Sequence, residues 1–210
     1  MQYETEEQQV EALKQWWKEN GKAVIAGVVL GALAIAGWGA YKAHQAKQAV
    51  AASDIFSRTM DATGDGDADT AAELASLIGN DHADSLYASY SHFAAARAAL
   101  DNDDLDSAAQ NLAWVADNGK TEEVKIIASV RLARVLGAQG KAAAGLSLLP
   151  KAYPDSFKAL LEEARGDLHV AAGDSAAALT AYQAALETKT ASDPESLTMK
   201  INELATADAS

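Results

Sequence analysis

Apolar residues recur along this chain in two different ways. Near the start they form one unbroken run, AVIAGVVLGALAIAGWGAY at 23–41, with no charge inside it and with Lys22 and Lys42 at its ends. Elsewhere they return every three or four residues among polar and acidic ones, the period of helices with one buried face. The nineteen residues of the run cover about 28 Å at helical rise, close to the hydrocarbon thickness of a bilayer. The run predicts one transmembrane helix. The remaining pattern predicts helices packed on one another.

Details of the run support a retained anchor. Trp38 and Tyr41 stand at one end, and Trp16 and Trp17 precede the other. Amphipathic rings favour the membrane interface. Ala23, Gly27 and Gly31 fall on one stripe, where small residues let a second membrane helix approach closely. The plain alternative is the general abundance of Gly and Ala in membrane helices. Ala34-Ile35-Ala36 before Gly37 offers a signal-cleavage reading. The apolar run continues past it, however, and the segment before the run is long and acidic. Lys14, Lys18 and Lys22 precede the run, while Lys42, Lys47 and Arg58 follow it. This balance leans weakly to a cytoplasmic N-terminus. Val10, Leu13 and Trp17 share one side of a short helix expected over residues 5–20.

Beyond the run, alanine is abundant, runs of β-branched residues are few, and the only prolines are Pro150, Pro154 and Pro194. This composition favours helices. The first helix is expected to continue through Ala46, Ala49, Phe56 and Met60 to the loop GDGDAD at 64–69. Shorter helices follow, punctuated by Gly79-Asn80, Asn102-Asp103-Asp104, Gly140 and Gly173, with Thr121 opening one of them. Asp103, Gly140 and Gly173 are 37 and 33 residues apart, near the tetratricopeptide period of about 34. The best unit is 160–190. There Gly166 supplies a small residue between paired helices, Gly173-Asp174 the turn, and Ala178, Tyr182 and Ala185 a small, large, small pattern. The unit around Gly140 keeps Ala133 and Ala152 but has Gly145 for the usual alanine. The unit around Asp103 keeps Ala108 and Leu112. The competing reading is an alanine-rich bundle with accidental spacing.

The expected fold class is therefore all-α: a single N-terminal transmembrane helix followed by a tetratricopeptide-like α-solenoid of helix hairpins. The expected divisions are a cytoplasmic segment at 1–22, the membrane helix at 23–41, a membrane-proximal hairpin at 42–80, a repeat domain at 81–205 and a disordered tail at 206–210. Stacked hairpins leave a concave groove suited to peptides or protein surfaces.

Charge narrows the partners. The chain carries a net −13, and its first 42 residues hold four lysines against five glutamates, so twelve of the thirteen charges fall on the remainder. Such a domain repels nucleic acid phosphates and favours neutral or basic polypeptides. With no cysteine, disulfides, thiolate metal sites, cysteine nucleophiles and a lipoprotein-type anchor are excluded. Residues 61–73 resemble a calcium loop through Asp61, Asp65, Gly66, Asp67 and Asp69. Thr63 replaces an expected acid, though, and Ala72 stands where the bidentate Glu belongs, with Glu73 one residue late. The segment reads as a solvated acidic loop. His44, His82, His92 and His169 are scattered. Asp81, His82, Asp84 and Ser85 lie in one short loop, without the scaffold that a base and nucleophile need. No catalytic, cofactor or metal residues are assigned. Arg131, Arg134 and Arg165 interrupt apolar or acidic helices. They are expected either to pair between repeats, with neighbours such as Glu162, or to line the groove.

Several segments also carry a family likeness: VEALKQWWKENGKA at 10–23, GVVLG with Gly37-Trp38, SVRLARV at 129–135, EEARGD at 162–167 and MKINEL at 199–204. On these, over nearly its full length, the chain resembles the YfgM-type ancillary subunits of the bacterial Sec translocon. The resemblance implies a single-pass protein of the bacterial inner membrane, N-terminus cytoplasmic and repeat domain periplasmic. It implies association with Sec translocon subunits, a membrane-anchored prolyl isomerase and periplasmic chaperones, and a part in passing translocated proteins onward. It implies no enzyme activity and no cofactor. It also suggests an alternative role, control of an envelope-stress regulator through the cytoplasmic N-terminus. Cleavage near Ala36 would instead give a secreted soluble repeat protein.

Overall fold

The computed structural model describes residues 6–188 and 193–207. Among these the regular elements are all helical: α1 Glu6–Gly64, α2 Ala68–Asp81, α3 Leu86–Asp101, α4 Leu105–Asn118, α5 Glu122–Ala138, α6 Ala142–Leu148, a 3-10 turn Asp155–Phe157, α7 Lys158–Ala171, α8 Ser175–Leu186 and α9 Pro194–Ala207. The chain forms two compact units, Met1–Val50 and Ala51–Ser210, and α1 contributes to both. The all-α class expected from the sequence is observed.

The described part of the first unit is helical throughout. Asn20-Gly21 reads as a helix stop, yet α1 continues through it. The Asn20 side chain donates to the Trp16 carbonyl at 3.0 Å, which satisfies the amide without breaking the ladder. The Trp17 indole would lie 3.2 Å from a Cβ on Gly21, so that glycine is covered by the ring. Further on, the apolar side chains are exposed, with Val28 at 68% and Leu33 at 63%. The helix is long and apolar enough to cross a membrane.

The second unit is a chain of hairpins. Four residues adopt positive φ in the turns between paired helices: Gly66 at 75°, Asp103 at 58°, Gly140 at 75° and Gly173 at 78°. Glycine takes this left-handed conformation without the penalty a Cβ brings. In three turns the next residue is an aspartate that caps the following helix. Asp67 accepts from the Thr70 amide at 3.0 Å, Asp104 from the Ser107 amide at 2.9 Å and Asp174 from the Ala177 amide at 3.0 Å. Such caps satisfy one orphan donor of the helix start.

The four turns share one register. Seven residues before each stands a buried small side chain or glycine: Thr59, Ala96, Ala133 and Gly166. Five residues after each stands another: Ala71, Ala108, Gly145 and Ala178. These positions let the two helices of a hairpin come together. The tightest case is Gly166, where an added Cβ would sit 2.3 Å from Tyr182 Cε1. The Gly66 turn precedes Asp103 by 37 residues, the same interval that separates Asp103 from Gly140. Residues 51–81 thus form a hairpin in step with the later ones, and Ile55 and Ile78 share a core with Ala88, Ala95 and Ala98 of α3.

The core passes from hairpin to hairpin. Ala96, Leu112 and Leu132 join α3, α4 and α5; Val130, Leu149 and Leu161 join α5 to α7. Leu197 of α9 closes over Tyr182 and Ala185 of α8. Each helix packs on its sequence neighbours, the arrangement of a repeat stack with a terminal capping helix. The second helix of the third hairpin, α6, is short because Pro150 follows closely, and the linker is held by Tyr153 and Phe157 against α7. α9 reaches Ala207. Residues 208–210 of the expected tail, and Lys189-Thr190 of the best-matching repeat, lie outside the described residues.

Candidate protein-binding groove

The first helix of each hairpin presents a row of equivalent side chains. Six residues before each turn residue stand Met60, Arg97, Arg134 and Asp167. Between α3 and α5, floored by α4, this row opens onto a groove of about 510 Å³. Its lining pairs apolar side chains, Phe93, Leu100 and Leu105, with Arg97, Arg131 and Arg134. An apolar trough edged by convergent charged groups is the usual build of a peptide or ligand site.

The groove arginines are held differently. Arg134 donates from Nε to Asp167 at 2.9 Å and lies 3.7 Å from Glu163. Lys200 of α9 donates to the same two carboxylates at 2.7 and 2.9 Å, and the Tyr182 hydroxyl donates to Asp167 at 2.9 Å. Two cations and two carboxylates thereby tie α5, α7, α8 and α9 together. Burial pushes the Tyr182 hydroxyl far above its ordinary pKa, and the negative Asp167 pushes it further. For Lys200, burial opposes the charged form, but hydrogen bonds to Asp167 and Glu163 outweigh it and hold the amine above its usual value. Arg97 pairs with Asp101 one turn away at 2.8 Å, largely in solvent. Arg131 stacks its guanidinium over the Phe93 ring, 4.7 Å from the centroid. Among the described residues no ion-pair partner is found for it.

Arg165 lies away from the groove. It bonds Glu162 on its own helix, donates to the Pro150 carbonyl at 3.3 Å and lies over the Tyr153 ring. It therefore clasps the linker between α6 and α7. The repeat-defining positions sit where close packing needs them: Gly140 and Gly173 in positive-φ turns, Gly166 beneath Tyr182, and Ala178 and Ala185 buried on α8.

On α1, the stripe of Ala23, Gly27 and Gly31 is exposed, and a Cβ added at either glycine would meet open space. Trp38 and Tyr41 have ring centroids 5.9 Å apart; Lys42 lies over Trp38, and Gln45 donates to the Tyr41 hydroxyl at 2.8 Å. Aromatic and polar groups thus cluster at one end of the apolar run.

Sequence reasoning did not single out one buried polar group. His92 of α3 lies under 5% exposed, stacked on Trp114 with centroids 4.0 Å apart. Its Nδ1 is 2.8 Å from Asn111 Oδ1, and the Asn111 amide donates to the Ser107 carbonyl at 3.0 Å. That fixes the Asn111 orientation and places the ring proton on Nδ1. The other ring nitrogen has no hydrogen-bond partner among the described residues. A Cβ at Gly79 would approach it to 2.8 Å. Burial lowers the His92 pKa, with the Asn111 bond partly opposing. Gly79 on α2 opposite His92 on α3 was the available signal, but it needs the hairpin register to be read. In the acidic loop, Asp67 accepts from both the amide and the hydroxyl of Thr70 and so acts as a cap. No group of three or more His, Asp or Glu side chains is placed to hold a metal among the described residues.

Hairpins in register and a capping helix define a helical-repeat protein, which also carries one helix long and apolar enough to cross a membrane. Residues 14–206 match the family described as tetratricopeptide repeat-like domain. Curated relatives are named "Ancillary SecYEG translocon subunit". One from Escherichia coli (strain K12) is 30% identical over 203 residues, covering 96% of this chain and 98% of its own. One from Haemophilus influenzae is 29% identical over 199 residues, covering 95% and 97%. One from Neisseria gonorrhoeae is 31% identical over 184 residues, covering 87% and 88%. No solved structure gives a significant match. The chain belongs to the tetratricopeptide repeat-like family of ancillary SecYEG translocon subunits.

Proposed function

We propose that this protein is a non-enzymatic, membrane-tethered interaction module of the Sec translocon, which helps pass translocated proteins to periplasmic chaperones. One observation carries the reading. A tetratricopeptide repeat-like domain shares its chain with an exposed apolar helix of membrane length, in a family whose relatives are named as translocon subunits. The anchor sits in the inner membrane as a single pass, with its N-terminus cytoplasmic and residues 43–210 periplasmic. Tethering raises the local concentration of the hairpin domain at the translocon exit, so weak and exchangeable contacts suffice. A membrane-anchored prolyl isomerase and periplasmic chaperones are the downstream partners. The stripe of Ala23, Gly27 and Gly31 is the face on which a partner membrane helix packs.

Copurification from mild detergent tests the reading. Translocon subunits are expected to accompany the full chain, and recovery of a free monomer after gentle crosslinking would contradict it. A second role rests on the exposed Val10, Leu13, Trp16 and Trp17 of α1. These offer a contact for a cytoplasmic regulator of envelope stress. Deleting residues 2–15 separates the roles: signalling is lost while translocon association persists.

A further inference from the structure

The hairpin domain is acidic as a whole, which suggests basic clients, but its groove has the opposite character. We propose that the groove between α3 and α5 takes an extended polypeptide segment carrying an acidic side chain next to an apolar one, with the carboxylate on Arg131. The proposal rests on the reading of the chain as an interaction module and names the chemistry of one partner.

Charge complementarity carries the argument. The groove is lined by three cations, Arg97, Arg131 and Arg134, and by no carboxylate. Arg134 and Lys200 are committed to Glu163 and Asp167, and Arg97 to Asp101. One positive charge is left over, and it belongs to Arg131. Within an acidic domain the groove thus offers an anion one cation that is not already paired.

Arg131 is also pre-arranged. Its guanidinium carbon lies over the Phe93 ring, and no acceptor for its N–H groups is found among the described residues, so they are available to a carboxylate. Phe93, Leu100 and Leu105 form the apolar floor beside it, which receives the neighbouring side chain of the segment. At the turn end, Asp103, Asp104 and Asp106 edge an adjoining cleft. They repel a carboxylate there and so direct it to Arg131 rather than towards the turns.

The test uses the purified full chain in lipid nanodiscs and fluorescence anisotropy. The probe is a labelled peptide of alternating Glu and Leu around one Phe; its twin has Lys for every Glu. The acidic peptide is expected to bind, and more weakly as salt rises. Arg131→Gln is expected to weaken binding about tenfold, the scale of one charged hydrogen-bond pair. Lys158→Gln, outside the groove, leaves binding unchanged. Because Arg131 is exposed, the variant should keep its melting temperature. Should it not, Arg97→Gln, mostly in solvent, carries the test with a smaller loss. Equal or tighter binding of the Lys twin, or no loss in either arginine variant, overturns the proposal. No translocon is present in the assay, so its outcome is separate from that of the copurification experiment.

Discussion

Ile35 and Ile78 are the same side chain in the same secondary structure, yet Ile35 is 76% exposed and Ile78 is wholly buried. The difference lies in what surrounds each. On α2, Ala71, Leu74, Ala75 and Ile78 make one apolar stripe with Asp69, Thr70, Glu73 and Ser76 behind it. A one-sided stripe finds its partner in other helices. Across 23–41 every face of α1 is apolar, with no polar side to leave in water. A helix apolar all round needs lipid or a protein interior, and within its own unit it is not covered by protein. Two kinds of hydrophobic pattern thus specify two solvents within one continuous helix and its neighbours.

The sharpest way to break this contrast is to put charge into the first region. Val28→Asp together with Leu33→Asp should weaken membrane insertion by about 6 kcal/mol. The protein should then leave carbonate-washed membranes, while the hairpin domain melts as before. The mirror experiment is Leu161→Ala, at a fully buried side chain. Its cost should be about 2–5 kcal/mol, read as a lower urea midpoint with membrane retention intact. Gly166→Ala should cost about 1–3 kcal/mol by forcing Tyr182 off its packing surface. A loss of membrane retention in either hairpin variant would break the separation of the two regions.

His92 adds a pH dependence to the hairpin domain alone. Its folded pKa lies below the unfolded value near 6.5. Below that pH the unfolded chain binds more protons, so stability falls as pH drops from 6.5 through the folded pKa, and is whole above 6.5. Urea midpoints across that range should show the slope in the parent, and His92→Gln should flatten it. The smallest expected effect has the opposite sign. Asp103 occupies a left-handed turn position that glycine fills in the other three turns. Asp103→Gly should stabilise the domain by about 0.5–1 kcal/mol, measured by thermal melting.

Much of the fold was legible because helix periodicity and turn chemistry are local. The turns at Asp103, Gly140 and Gly173 could be read from residue type and spacing alone, and the Thr121 cap likewise. The sequence predicts a hairpin at 42–80, but not that its Gly66 turn keeps the register of the later ones. Ala75 stands where Leu112 and Tyr182 supply a large side chain, and the surrounding acids looked like a loop in their own right. The passage of α1 through Asn20-Gly21 depends on a side-chain bond to Trp16 and on the cover of Trp17, neither of which residue type announces. Arg131 and Arg134 of the groove, and Arg165 outside it, stand out in the sequence as anomalies, whereas Arg97 does not, and none of their assignments is legible there. Whether Arg134 meets Asp167, Arg165 meets Pro150 or Arg131 meets Phe93 depends on how one hairpin is rotated against the next, which is set by packing across repeats.

In the topology proposed above, the anchor stays in the membrane and the hairpin domain lies on the far side from the cytoplasm. Protease accessibility in intact cells, in cells with the outer membrane opened, and in fully lysed cells tests this most directly. Residues 43–210 should resist digestion in intact cells and be lost once the outer membrane alone is opened, with residues 1–22 still protected. Digestion of the domain only after full lysis, or a mature chain beginning beyond residue 41, would contradict it.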